Sequence, residues 1–106
     1  MFSGGVDAGW ISLSLLPYNV RNCFAIENDK FNAQLLRLNA QPELLIENDV
    51  ENVGLDRLPK VDLFLCTPPC APFSSLGNAE GDDPRRSLWC YGLECIALHM
   101  PSIFIC

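Results

Sequence analysis

The stretch Val61-Asp62-Leu63-Phe64-Leu65-Cys66-Thr67-Pro68-Pro69-Cys70-Ala71-Pro72-Phe73-Ser74-Ser75-Leu76-Gly77 decides how the rest of the chain is read. The apolar run from Val61 to Cys66 has the character of a strand buried on both faces. The Pro68-Pro69 pair that follows cannot continue a sheet ladder, because proline has no amide hydrogen to donate. The chain therefore leaves the sheet here. Cys70, a third proline and a Phe-Ser-Ser-Leu-Gly loop come next, which puts a potential nucleophile on a stiffened turn at the carboxyl end of a strand. That edge is where open α/β sheets hold their ligands.

Reading outward toward the C-terminus, Asp83-Pro84 is a strong helix start, with the acid as N-cap and proline at the first helical position. A helix is expected from about Pro84 to His99, with Leu88, Gly92, Cys95, Ile96 and His99 along one side. Pro101 closes it, and Ser102 to Cys106 reads as another buried strand. Toward the N-terminus, Val50 to Lys60 is a polar connection with Leu55 and Leu58 and room for a helical turn. Leu44-Leu45-Ile46 is a short strand closed by Glu47-Asn48-Asp49. A helix from Lys30 to Asn39 presents Phe31, Leu35, Leu36 and Leu38 as its apolar side, with Asn28 or Asp29 as N-cap. Asn22 to Ile26 is a buried strand ending in Glu27-Asn28-Asp29, so two strands end in the same Glu-Asn-Asp trio. A first helix spans about Asp7 to Leu16 and is closed by Pro17. Before it, Met1 to Trp10 looks like a strand end and a glycine turn.

This alternation predicts an α/β fold: a Rossmann-like, doubly wound, mostly parallel sheet with right-handed crossovers and helices on both faces. With 106 residues the chain holds one domain, able to bury roughly two thirds of its unfolded surface. Its 49% hydrophobic and 19% charged residues describe a globular chain. No apolar run approaches the roughly 20 residues of a membrane span. The N-terminus lacks a basic region followed by an apolar core and cleavage site, so secretion is not expected and the cytoplasm is the default compartment. Most of the six cysteines sit in apolar runs and read as buried thiols. A zinc site from Cys66, Cys70, Cys90 and Cys95 fits poorly, because a proline pair separates the first two and a helix carries the others. No metal is assigned. The net charge of −6 repels a phosphate backbone, so composition alone argues against nucleic-acid binding.

The motifs in order resemble the DNA cytosine-5 methyltransferases, which use S-adenosylmethionine. Phe2-Ser3-Gly4 with Gly5-Val6-Asp7-Ala8-Gly9-Trp10 is similar to the family's first cofactor motif, although two residues fewer separate its glycines. Ala25-Ile26-Glu27-Asn28-Asp29 looks like the second, and Asp49 falls where the third places an acid. Pro69-Cys70-x-Pro72-Phe73-Ser74-x-x-Gly77 matches the catalytic Pro-Cys motif, with Ala71 where many members carry glutamine. Asp83-x-Arg85-x-x-Leu88 and Pro101-x-x-Phe104 match the segment leading toward the Glu-Asn-Val motif. Five ordered matches over nearly the whole chain are specific, where a lone Pro-Cys would mean little.

The resemblance implies a methyl transfer from S-adenosylmethionine to C5 of cytosine in DNA, in a bacterial modification or restriction-modification setting. The Cys70 thiolate would add to C6 and so make C5 nucleophilic. The base must be flipped out of the duplex, with a loop around Ser74 to Asp83 closing over it. A free thiol ionises near pH 8.5, so Cys70 needs a cation or helix terminus beside it, and Arg85 or Arg86 would supply one. By the same resemblance Phe2, Ser3, Gly4, Gly5, Glu27, Asn28, Asp49 and Pro69 bind the cofactor. Glu27 takes the ribose hydroxyls and Asp49 the adenine amino group, while Ser74 and Arg85 meet the substrate. The family's glutamate of Glu-Asn-Val, its basic DNA-contacting region and its target-recognition domain have no counterpart among these residues. Residues 1–106 are therefore expected to be a partial catalytic domain truncated at both ends, with DNA met through other regions and a second polypeptide completing it. They would lie in the cytoplasm or on the nucleoid.

Other readings stay open at this stage. The chain could be an inactive remnant, or an amino-group methyltransferase, since Thr67-Pro68-Pro69-Cys70 is similar to that class's Pro-Pro-aromatic motif without the aromatic. Cys70 could be an inert turn thiol, and Glu27, Asp29 and Asp49 simple helix caps. His99 is most simply a satisfied helix-end histidine. Arg85 could pair with Asp82 or Asp83, and Trp10 and Trp89 could be core residues.

Overall fold

Asp29 starts the longest helix of the N-terminal half: its backbone is extended and its carboxylate accepts the Asn32 amide at 2.8 Å, a side-chain N-cap. The structure is a computed structural model and describes residues 8–68 and 87–106. The chain order is α1 (Ala8–Ser14), β1 (Phe24–Ile26), α2 (Lys30–Asn39), β2 (Leu44–Ile46), two 3-10 turns (Val50–Asn52 and Leu55–Arg57), β3 (Leu63–Leu65), α3 (Leu88–His99) and β4 (Ile103–Ile105). Both long helices end on a non-glycine residue with positive φ followed by proline, Gln41-Pro42 and Met100-Pro101. The left-handed residue lets its amide reach back to Leu36 O and Ile96 O respectively, at 2.8 Å each.

β1 is covered on both faces. Ala25, fully buried, points to Leu36 and Ala40 of the α2 region, with Trp10 of α1 and Leu45 beside them. Phe24 and Ile26 point the other way, into a second cluster with Val50, Leu55 and Leu58 of the turns, Phe64 of β3, Cys66, and Cys95 of α3. Alternation of side chains along a strand produces this two-sided burial. Residues 50–60 are thus less polar in effect than their composition suggests, since three of their aliphatic residues enter the core.

Among the described residues the strands pair as two parallel ladders, in keeping with the expected mostly parallel α/β architecture, and do not form one continuous sheet. β1 pairs with β2, Ile26 opposite Ile46, and β3 pairs with β4, Leu65 opposite Ile105. At the start of the first ladder Arg21 donates two hydrogen bonds to Glu43, at 2.8 Å each, and holds that carboxyl below its ordinary range. β1 and β3 share the larger core cluster without pairing, and no strand among the described residues joins them.

Three expectations need correction. β4 is not buried: Ile103, Phe104 and Ile105 are all more than half exposed. In β3 only Phe64 is buried, while Leu63 and Leu65 are half-buried. On α2, Ala33 and Leu36 face inward, whereas Phe31 and Leu38 are exposed. Residues seven apart share a helix face, so Phe31 and Leu38 form a second apolar stripe across from the buried one. The expected helix start at Asp83-Pro84 lies outside the described residues.

α3 lies against the end of β3 because Gly92 has no side chain. A Cβ there would stand 2.5 Å from Cys66 Sγ, too close for any real contact. The far end of α3 is pinned by His99, whose Nε2 donates to Leu55 O at 2.6 Å. Gly92→Ala should destabilise the chain by about 1–3 kcal/mol through overpacking, although alanine is the better helix former by about 1 kcal/mol. In a Cys66→Ala background the same substitution should become neutral or stabilising. Urea denaturation of the four proteins checks this, and an equal loss in both backgrounds would contradict it.

Candidate active site

The parallel ladder of β1 and β2 continues one residue past the strands, where the Glu27 amide donates to Ile46 O at 3.0 Å. That bond fixes Glu27 at the carboxyl end of the pair and carries its side chain into the core, where only 5% of the residue is exposed. Its Oε1 accepts the Asp29 amide at 3.0 Å. Its Oε2 is buried and has no hydrogen-bond partner among the described residues. A buried carboxylate oxygen left unmatched is costly, on the order of 1–3 kcal/mol or more, so this atom calls for a donor from outside the described residues.

Asn28 turns outward and donates through Nδ2 to Asp49 Oδ1 at 2.6 Å, which ties the end of β1 to the residue that begins the first 3-10 turn. Asp49 is itself exposed, and its amide donates to Asn48 Oδ1 at 2.8 Å. Glu27, Asn28 and Asp49, three residues singled out in the sequence, are therefore gathered at one sheet end. The two Glu-Asn-Asp trios are not equivalent: Glu47 forms an ion pair with Arg37, while Glu27 is buried and has no cation partner among the described residues. Asp29 is a helix cap, and His99 is a helix-end histidine bonded through Nε2 to Leu55 O, while its buried Nδ1 has no hydrogen-bond partner among the described residues. The Asn28–Asp49 link was not foreseen, and its only signal in the sequence is the repetition of the trio after two strands.

Phe2, Ser3, Gly4, Gly5, Pro69, Cys70, Ser74 and Arg85 lie outside the described residues. The strand that leads to Cys70 is described up to Pro68. The Cys66 amide donates to Ile105 O at 2.8 Å, so β3 stays in its ladder until just before the proline pair. Cys66 is an unsuitable nucleophile: burial pushes its thiol up to about 12, with the neighbouring Cys106 adding to the shift. Burial raises Cys95 as well. A groove of about 450 Å³ between the two turns and α3 carries Glu51, Asp56, Tyr91 and Glu94, and it shares no residue with the Glu27 edge.

The sequence model of the C-5 cytosine-specific DNA methylases matches residues 1–106. The chain belongs to that family. Among curated proteins this methylase chain is similar to the Type II methyltransferase M.PspPI of Psychrobacter sp. (strain TA137), 34% identical over 107 residues that cover 99% of the chain and 25% of the relative. It is 29% identical to the Type II methyltransferase M.NgoBI of Neisseria gonorrhoeae over 99% of the chain and 32% of the relative. It is 28% identical to the Type II methyltransferase M.AquIA of Picosynechococcus sp. over 99% of the chain and 45% of the relative. The methylase chain thus spans between a quarter and just under half of the length of these relatives. No solved structure matches it. No helix among the described residues is long and apolar enough to cross a membrane.

The thiol of Cys66 gives a direct check on the site's electrostatics. Its folded value near 12 lies above the ordinary 9, so the folded chain keeps that proton where the unfolded chain loses it. The stability this contributes is complete below about pH 9 and is lost as pH rises toward 12. At pH 8 the Cys66 thiol of the folded chain stays protonated. Iodoacetamide at pH 8 should therefore label the exposed Cys90 and Cys106 of the folded methylase chain, and spare Cys66 and Cys95 until denaturant is added. Peptide mass spectrometry reads the order of labelling.

Proposed function

We propose that this chain is the cofactor-binding and nucleophile-bearing part of a DNA cytosine-5 methyltransferase. The observation that carries the reading is the buried, half-matched carboxylate of Glu27 at the end of a parallel strand pair. A carboxylate of this kind accepts hydroxyl donors, and the vicinal hydroxyls of a ribose present two of them. S-adenosylmethionine supplies the electrophilic methyl group when bound. Glu27 orients its ribose, and Asp49, held by Asn28, meets the adenine amino group. Phe2, Ser3, Gly4, Gly5 and Pro69 complete the cofactor contacts.

Cys70 attacks C6 of a flipped cytosine, which raises electron density at C5 for the methyl transfer, and Ser74 and Arg85 hold the nucleotide. The two ladders suit this reading. In a doubly wound sheet of order 3-2-1-4-5, pairs 3-2 and 4-5 remain when the first strand is set aside, and β2-β1 and β3-β4 have that arrangement. The relatives' names as Type II methyltransferases favour a role in DNA modification, in the cytoplasm or on the nucleoid. The chain covers at most 45% of the three relatives compared, and DNA recognition and completion of the catalytic domain are assigned to regions these residues do not include.

Titration calorimetry with S-adenosylhomocysteine tests the reading. The chain should bind it, and Glu27→Ala should weaken binding by about tenfold to a hundredfold, the loss of one or two hydrogen bonds to a charged acceptor. Asp49→Ala should cost less, because Asp49 is exposed. The absence of binding by the wild-type chain, or full affinity in Glu27→Ala, would overturn it.

A further inference from the structure

Cys66, Cys95 and Cys106 gather beside the end of β3, away from the Glu27 edge. The β3–β4 register sets Leu65 opposite Ile105. The Cys66 amide donates to Ile105 O at 2.8 Å and so keeps the ladder closed one residue further. Cys66 and Cys106 are the next pair in that register. Residues opposite one another in a parallel ladder point to the same face, and adjacent strands stand about 4.8 Å apart. That spacing lies inside the roughly 4.4–6.8 Å that separates the α-carbons of bonded cysteines. The two thiols also meet, since burial and then contact with the Cys106 thiol hold the proton on Cys66. The members of the pair differ in access. Cys106 is exposed and open to a reagent, while Cys66 is 1% exposed, with its Sγ set where a Cβ on Gly92 would stand.

We propose that Cys66 and Cys106 are a redox modification site, joined through the action of hydrogen peroxide as a cross-strand disulfide at the end of β3. The exposed Cys106 thiolate attacks one peroxide oxygen and the O–O bond breaks. Hydroxide takes up a proton and leaves as water, and Cys106 becomes a sulfenic acid. The Cys66 sulfur then attacks the sulfenic sulfur. The S–S bond forms, the S–O bond breaks, and the hydroxyl departs as water with the Cys66 proton. In sum two thiols lose two electrons and one peroxide is reduced to two waters. Burial opposes the second step, because it keeps Cys66 protonated. Contact offsets this, since the sulfenic acid is delivered to a thiol already beside it. Conversion of Cys106 also removes the thiolate charge that disfavours ionisation of Cys66. The bond pins β3 to β4 four residues before Cys70, in the segment that leaves the sheet toward the proposed nucleophile.

The test treats the full chain with a small molar excess of hydrogen peroxide, alkylates it with iodoacetamide and digests it with trypsin. Peptide mass spectrometry should find the peptides carrying Cys66 and Cys106 joined with the loss of two hydrogens, fragmentation should place the link at those two residues, and dithiothreitol should release it. Cys106 should lose its iodoacetamide label while the equally exposed Cys90 keeps it. The oxidised chain should unfold at a higher urea concentration than the reduced chain, because a bond made in the native ladder restricts the unfolded chain. Cys106→Ser, a change at an exposed position, should abolish both the link and the shift, and Cys90→Ser should leave both. Sulfenic or sulfinic acid at Cys106 without a link, a link from Cys106 to Cys70 or Cys90 in place of Cys66, or an unmoved or lower urea midpoint would each overturn the proposal.

Discussion

Burial of β1 on both faces is the constraint from which the rest of the architecture follows. Three residues, Phe24, Ala25 and Ile26, are each at most 3% exposed and are claimed by two separate apolar clusters. The small residues Ala25, Ala33 and Ala40 let α2 approach on one side. The larger Phe24 and Ile26 reach across to the turns, β3 and α3 on the other. A strand so enclosed cannot release its next residue to solvent while the ladder continues, and the ladder does continue to the Glu27 amide. The burial of a carboxylate at the sheet end is therefore a consequence of core packing.

That consequence is also the main electrostatic tension in the molecule. A buried charge is tolerated when it is hydrogen-bonded or paired. Among the described residues Glu27 has one amide on Oε1 and no cation, whereas Glu47, at the equivalent place after β2, has Arg37. The difference separates two residues identical in local sequence. Glu47 is a stabilising surface pair of small worth. Glu27 retains an acceptor that no donor among the described residues satisfies, and a protein that needed only stability would be better served there by an apolar residue. The Asn28–Asp49 bond strengthens the contrast, since it fixes a second carboxylate at the same edge with one oxygen engaged and the residue exposed.

Much of this was legible in the sequence, for identifiable reasons. Helix α2 was read at about Lys30 to Asn39 because a capping residue, Asn28 or Asp29, precedes a run with apolar residues at helical spacing. The strands at Phe24, Leu44, Leu63 and Ile103 were read because short apolar runs bounded by acids or prolines have few alternatives in a small α/β chain. The side of α3 that packs was read correctly because Gly92, Cys95, Ile96 and His99 recur at helical spacing. Other features were hidden because they depend on which neighbours exist. Phe31 and Leu38 satisfy the apolar pattern of α2 as well as Ala33 and Leu36 do, and only the fold shows that Ala33 and Leu36 face inward. The site was legible as three residues of interest, Glu27, Asn28 and Asp49. The burial that distinguishes Glu27 from Glu47 is a tertiary property that no local pattern encodes.

The same reasoning explains why β4 and β1, equally apolar in sequence, have opposite fates. A strand's composition records the number of layers it evolved to lie between, while its exposure records the layers actually present. For β1 the two agree, since α2 and the turns cover its faces. For β4 they disagree: it pairs with β3 in register, yet Ile103, Phe104 and Ile105 meet solvent on both sides. At about 25 cal/mol per Å² of apolar surface, covering three such side chains is worth several kcal/mol, comparable to the whole stability of a small domain.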